Sequence, residues 1–258
     1  MSKFINYGAM ALGAALLLPL ATTPARAEMK VRSPIVEYKE IEIEHNGSYG
    51  IDRKGSPNRD AGSYTVSLGY GIMPFWKIEL EAETKRDPGD RLRYEATTIE
   101  NIFQLTPEGK YFADLGFFFE VSKAAIRGDA DSYKFGPILR KELNNVGGLD
   151  TVHTLNIFVA REFGSNGGSK TALSYAWQSL VLVNPYLNPG FELYGVIADL
   201  GHAGPYRGQL HSAGPVLAGG TSLGKFGKLK YEVGYQFGLT SPAARGGVRW
   251  QLEFELPF

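Results

Sequence analysis

From Val248 to Phe258 every second side chain is apolar: Val248, Trp250, Leu252, Phe254, Leu256 and Phe258. Arg249, Gln251, Glu253 and Glu255 stand between them, followed by Pro257. Successive side chains of an extended strand point to opposite sides, so this segment has one oily face and one charged face. The preceding segment repeats the pattern, with Leu229, Tyr231, Val233, Tyr235, Phe237 and Leu239 set against Lys230, Glu232, Gly234, Gln236 and Gly238. Tyr64 to Ile72 and Trp76 to Glu83 alternate as cleanly. Segments of this kind have the roughly 9–11 residues that a tilted strand needs to cross a hydrocarbon layer, whereas strands of soluble proteins run to about 5–6.

Noisier alternation covers Tyr111 to Val121, Tyr133 to Leu139, Leu155 to Val159 and Leu173 to Val183. Weaker candidates are Glu40 to His45, Leu92 to Leu105, Phe191 to Leu200 and His211 to Gly219. About twelve strands result. Turn-forming clusters separate them, among them Asp87-Pro88-Gly89-Asp90, Thr106-Pro107-Glu108-Gly109, Gly164 to Gly168 and Asn184 to Gly190. The expected fold is an all-β, antiparallel transmembrane barrel of about twelve strands. With an even strand number both ends lie on the periplasmic side. Met73-Pro74-Phe75 is then a periplasmic turn, and Asn46 to Ala61 is expected as the longest outer loop.

The beginning of the chain reads differently. Lys3 precedes an apolar run from Gly8 to Ala21, and Ala25-Arg26-Ala27 supplies a small-x-small cleavage pattern. This is the layout of a secretory signal peptide. Residues 1–27 are therefore expected to be removed, leaving 28–258 as one barrel domain in the outer membrane. The whole sequence holds 27 basic and 27 acidic residues. Loss of Lys3 and Arg26 leaves a slight acidic excess, which gives no basic surface for nucleic acid. With no cysteine in the sequence, a disulfide framework or thiolate metal site is ruled out.

If the apolar faces meet lipid, the alternate faces line the lumen. Those inward sets are acidic: Glu40, Glu42, Glu44, Glu79, Glu81, Glu83, Glu120, Glu192, Glu232, Glu253 and Glu255. Lys77, Arg140, Lys230 and Arg249 are their basic partners. Rings of carboxylates favour cations, so the pattern fits passage of small cationic or polar solutes. A plugged, non-conducting structural or surface-interaction barrel is the alternative. Closing the barrel brings strands 1 and 12 together, with their Glu-rich faces near Arg249. Tyr70, Trp76, Trp250 and Phe258 are expected at the membrane interfaces, where amphipathic rings settle. The C-terminal strand ending in Phe258 resembles the segment that barrel-insertion machinery reads.

Other motifs carry less. Gly220-Thr221-Ser222-Leu223-Gly224 matches G-x-S-x-G but lacks the helix that a nucleophile elbow requires. His45, His153, His202 and His211 show no metal-type spacing. A surface Ser-His hydrolase built on Ser222 and His211 is the remaining enzymatic reading, and the expectation is no enzyme, no cofactor and no metal. The chain is expected to be a monomer held by outer-membrane lipid.

Ser33-Pro34-Ile35-Val36-Glu37, Glu40 to Glu44, Gly69-Tyr70-Gly71, Phe75 to Glu83, Phe135-Gly136-Pro137 and Arg249-Trp250 to Phe258 resemble a group of uncharacterised proteobacterial outer-membrane barrels. The group is similar to outer-membrane transporters associated with the meta-pathway of phenol degradation. The resemblance implies a barrel that moves small or hydrophobic solutes, and it brings no catalytic residues.

Overall fold

The computed structural model describes residues 29–164 and 170–257. The expected signal peptide, the terminal Phe258 and most of the Gly164 to Gly168 cluster lie outside the described residues. Twelve strands follow in chain order: β1 (Glu40–Ile51), β2 (Gly62–Met73), β3 (Trp76–Arg86), β4 (Arg93–Gln104), β5 (Asp114–Ala124) and β6 (Asp131–Val146), then β7 (Leu149–Phe163), β8 (Thr171–Leu182), β9 (Asn188–Ile197), β10 (Leu210–Ser222), β11 (Lys228–Gly238) and β12 (Gly246–Pro257). Each pairs antiparallel with its neighbours in sequence, and β1 pairs with β12, from Glu40 against Pro257 to Ile51 against Gly246. The sheet is a closed barrel with no free edge. Closure is what lets a strand assembly satisfy every backbone donor and acceptor without water.

The outer wall follows from the alternation. Ile43, Val66, Leu68, Leu80, Ile99, Phe119, Val233 and Leu252 are all exposed. Their strand neighbours Glu42, Glu44, Ser67, Glu79, Glu81, Thr98, Glu100 and Glu120 are buried. A water-soluble barrel inverts this arrangement. An exposed apolar belt around a polar interior suits a wall solvated by hydrocarbon.

Strand ends depart from the expectation in specific places. β1 continues to Ile51, so its distal connection is residues 52–61 rather than Asn46 to Ala61. Residues 198–209 form a longer distal connection, carrying two short 3-10 turns, Leu200–His202 and Tyr206–Gly208. Asn46 and Ser48 keep the inward parity of Glu42 and Glu44, and their polar character hid the strand. β6 and β7 extend well past the alternating cores at Tyr133 to Leu139 and Leu155 to Val159. Their hairpin carries exposed Leu143, Val146 and Leu149 beyond the end of the barrel where β1 begins and β12 stops, its terminal end. Gly147 and Gly148, both at positive φ, close its turn.

Candidate functional site

The lumen is occupied by the chain itself. Residues 29–39 run its length ahead of β1 without joining the sheet. At the distal end Met29 lines a small cavity with Gly50, Leu210, Ser212 and Ala243. At the terminal end the Lys39 amide donates to the Gly71 carbonyl at 3.0 Å. An extended segment of this length reaches about 35 Å at ~3.3 Å per residue, enough to traverse a hydrocarbon core of about 30 Å. We call it the strap.

The strap itself alternates. Lys30, Arg32, Pro34 and Val36 are buried against the wall from β1 to β7. Val31, Ser33, Ile35 and Glu37 face a cavity of about 330 Å³. The Lys30 ammonium lies 2.8 Å from Glu44, 3.1 Å from both Glu79 and Glu81, and 3.7 Å from Glu100. Arg32 pairs with Glu100, its Nε donating at 3.1 Å, and its guanidinium carbon stands 4.6 Å from the centre of the Phe118 ring. The Arg32 amide donates to the Asn156 side chain at 2.7 Å, and the Asn156 amide group returns a bond to the Arg32 carbonyl at 2.9 Å. Further along, the Val36 amide donates to Gln104 at 2.9 Å. Val36 also packs into an apolar cluster with Ile102, Phe118, Ile138 and Phe158, inside the barrel.

Two glycines make room for this segment. A Cβ on Gly71 would sit 2.0 Å from the Glu37 carbonyl oxygen, and one on Gly116 would sit 2.7 Å from the Pro34 Cβ. No ordinary side chain fits at either position while the strap stays in place.

The opposite wall holds a second charged assembly, built from strands alone. Arg249 on β12 and Glu192 on β9 are both fully buried. The Arg249 Nε donates to Glu192 at 2.9 Å, and its terminal nitrogen lies 2.6 Å from Glu232. Gln178 donates to Glu192 at 2.8 Å and to Glu232 at 3.1 Å, while Gln236 donates to Glu192 at 3.1 Å. Gln178 and Glu232 also line the cavity beside the strap.

All the charged residues expected inside lie on inward faces, but they fall into groups. Glu42, Glu44, Glu79 and Glu81 gather around Lys30 and Lys77, with Lys77 paired to Glu42 and 3.6 Å from Glu79. Glu44 also accepts from Gln251 at 2.7 Å and from Asn46 at 2.9 Å. Glu83 accepts from the buried Thr98, and Glu120 pairs with Lys134 at 2.7 Å. At the terminal mouth Arg140 bridges Glu108 and Asp114 at 3.2 Å each, and Lys230 pairs with Glu253 at 3.1 Å and with Glu255. Glu40 stands next to this mouth, opposite Pro257 in the seam. Arg249 does not serve the glutamates of the β1–β12 seam, as the sequence suggested. It lies opposite Ser48, two inward-facing levels beyond them, and reaches Glu192 and Glu232 instead.

Of the aromatic residues expected at the membrane interfaces, Tyr70, Trp76 and Trp250 lie on the outer wall. Trp76 stacks on Phe103 with centroids 6.0 Å apart and donates to Asn101 at 3.1 Å. Tyr70 lies nearby, two positions from the Met73 turn register. Trp250, in the distal half of β12, covers Gly47 and tilts against Tyr64 at 5.8 Å. Ser222 and His211 occupy opposite ends of β10. At ~3.3 Å per residue they are more than 30 Å apart, so they form no dyad. His211 faces outward beneath Tyr206, with ring centroids 4.5 Å apart, and contacts Tyr175 and Gln209 at 3.0 Å each.

Sequence reasoning missed Lys30, Arg32, Glu100 and Asn156. A signal for the first two was present. The inward faces carry more acids than bases, and Lys30 and Arg32 stand alternately ahead of Glu40, Glu42 and Glu44.

No protein-family model and no curated protein matches the chain. Among solved structures it is similar to a bacterial polysaccharide outer-membrane secretin, at 9% identity over 84% of this chain and 99% of that one, with a TM-score of 0.41. An outer-membrane protein OmpT of Vibrio cholerae shares 9% identity over 84% of this chain and 98% of the other, with a TM-score of 0.29. A mutant porin of Rh. blastica shares 9% identity, covering 84% and 99%, with a TM-score of 0.26. At such scores the fold rests on the strand pairing itself: a closed antiparallel β-barrel of twelve strands.

Proposed function

We propose that this chain is an outer-membrane barrel whose acidic lumen passes small polar or cationic solutes, and that the strap holds it closed. The exposed apolar belt supports the membrane setting, since every strand offers hydrocarbon-compatible side chains outward. The observation that carries the passage reading is how the obstruction is held. The strap has no ladder pairing with any strand, and it lies beside a cavity of about 330 Å³ lined by Glu42, Glu44, Glu79, Glu232 and Glu253. Its departure would widen that cavity along a carboxylate-lined wall without breaking a strand pair. A lining of this kind selects cations. The resemblance to transporters of the meta-pathway group agrees with passage, and the hydrophobic solutes it implies do not suit this lining.

The competing reading is a permanently closed structural barrel. Arg249 and Glu192 favour it, because that assembly is anchored on strands and fully buried.

Planar-bilayer recording on protein purified in detergent separates the two. The wild-type chain is expected to be mostly silent. A Lys30→Gln/Arg32→Gln variant is expected to give cation-selective steps. A variant that folds and stays silent at every voltage would leave the structural barrel as the reading, and anion-selective steps would overturn the acidic passage.

A further inference from the structure

The strap is an extended segment seated along a groove in the lumen wall. Its basic side chains meet two different recognition elements, and its backbone meets two more. The Lys30 ammonium sits among four carboxylates. The Arg32 guanidinium is paired by Glu100 and stacked over Phe118, which itself stacks on Phe158 at 4.6 Å. A guanidinium held between a carboxylate and an aromatic face is a more specific arrangement than a carboxylate cluster, because it reads a flat cation as well as a charge. Asn156 and Gln104 read the main chain: Asn156 pairs with both the amide and the carbonyl of Arg32, and Gln104 accepts from Val36. Asn156 is fully buried, and its two bonds match the donor and acceptor of any extended residue at that position. Gly71 and Gly116 leave the depth that a backbone needs against the wall.

We propose that this wall of the lumen is a binding site for short extended basic peptides, with cationic side chains at alternate positions, and that the strap is its tethered competitor. The proposal deepens the passage reading by naming the solute class, and the binding arm of its test does not depend on conductance. Tethering gives the strap an effective concentration in the millimolar range. A free peptide therefore competes poorly until the strap loses its charges.

The probe is an acetylated, amidated peptide of residues 29–37, compared with the same peptide carrying glutamine at both basic positions and with spermidine. Binding is measured by calorimetry on the detergent-solubilised wild-type chain and on the Lys30→Gln/Arg32→Gln variant, whose fold is checked by heat-modifiable migration. The variant is expected to bind the basic peptide at least about tenfold more tightly than the wild type does, as removal of the tethered competitor requires. It should bind spermidine at least tenfold more weakly than the peptide, and the glutamine peptide not measurably. If the double variant does not fold, a Val31→Cys chain supplies the test. The sequence has no other cysteine, and Val31 faces the cavity. Supplied at several millimolar, above the effective concentration of the tether, the basic peptide should speed labelling of that thiol by a charged reagent several-fold, and the glutamine peptide should not. Equal binding of spermidine and peptide, or no effect of the peptide in either experiment, overturns the proposal. Peptide binding without conductance would sustain it while removing the passage.

Discussion

The two walls of the lumen neutralise the same kind of charge in different ways. On the β9–β12 side, Glu192 meets Arg249, and both belong to strands locked in the ladder. On the β1–β4 side, Glu44, Glu79, Glu81 and Glu100 meet Lys30 and Arg32, which arrive on a segment outside the ladder. Burying a carboxylate is costly wherever it happens, and the cation that offsets the cost becomes indispensable to the buried state. A strand-borne cation makes that dependence part of barrel stability. On the proposed reading a strap-borne cation makes it part of strap seating, with water and counter-ions taking the strap's place through the adjoining cavity.

The contrast predicts a separation of phenotypes. Arg249→Leu should have the largest effect. It leaves Glu192 buried without its cation, a loss of about 3–5 kcal/mol, read as a lower urea midpoint in detergent, with no gain in conductance. A midpoint equal to wild type would dissolve the distinction between the walls. Lys30→Gln/Arg32→Gln should come next, with bilayer conductance rising sharply while the midpoint falls distinctly less than for Arg249→Leu. Gly116→Val probes the strap by shape alone. Its new side chain crowds Pro34 most closely and the Phe103 carbonyl oxygen less so, overpacking typically costs about 1–3 kcal/mol, and the larger part of the strain relaxes when the strap leaves. Frequent openings should appear with the ion pairs intact, and continued silence would argue that the strap does not leave the lumen. Asn156→Ala should have the smallest effect. It removes two hydrogen bonds to Arg32, each worth on the order of 1 kcal/mol, and should yield brief, rare openings that a persistently closed trace would contradict.

The same contrast explains what could be read from the sequence. Strands β2, β3, β11 and β12 were plain because each has one face in contact with an apolar medium, which imposes strict alternation over a full crossing. β1 past His45 and the ends of β6 and β7 were obscured. Asn46, Gly47 and Ser48 are small or polar on both faces, and the β6–β7 hairpin leaves the belt where alternation is no longer enforced. The inward glutamates followed from parity, since a slip by one residue would turn them to the outside. Their partners did not follow. Which cation meets which carboxylate depends on register across strands distant in sequence, as with Arg249 reaching β9. The strap was invisible as an element because its order comes from the wall around it and not from its own ladder.

The threading of residues 29–39 through a sealed ring has a consequence for assembly. Once Glu40 to Ile51 has zipped against Gly246 to Pro257, the interior can be entered only through the two mouths. These residues must therefore already lie inside when the seam zips, or thread in through a mouth afterwards. Maturation of this molecule thus has two milestones, a closed cylinder and a filled one, and connectivity limits the routes between them to these two.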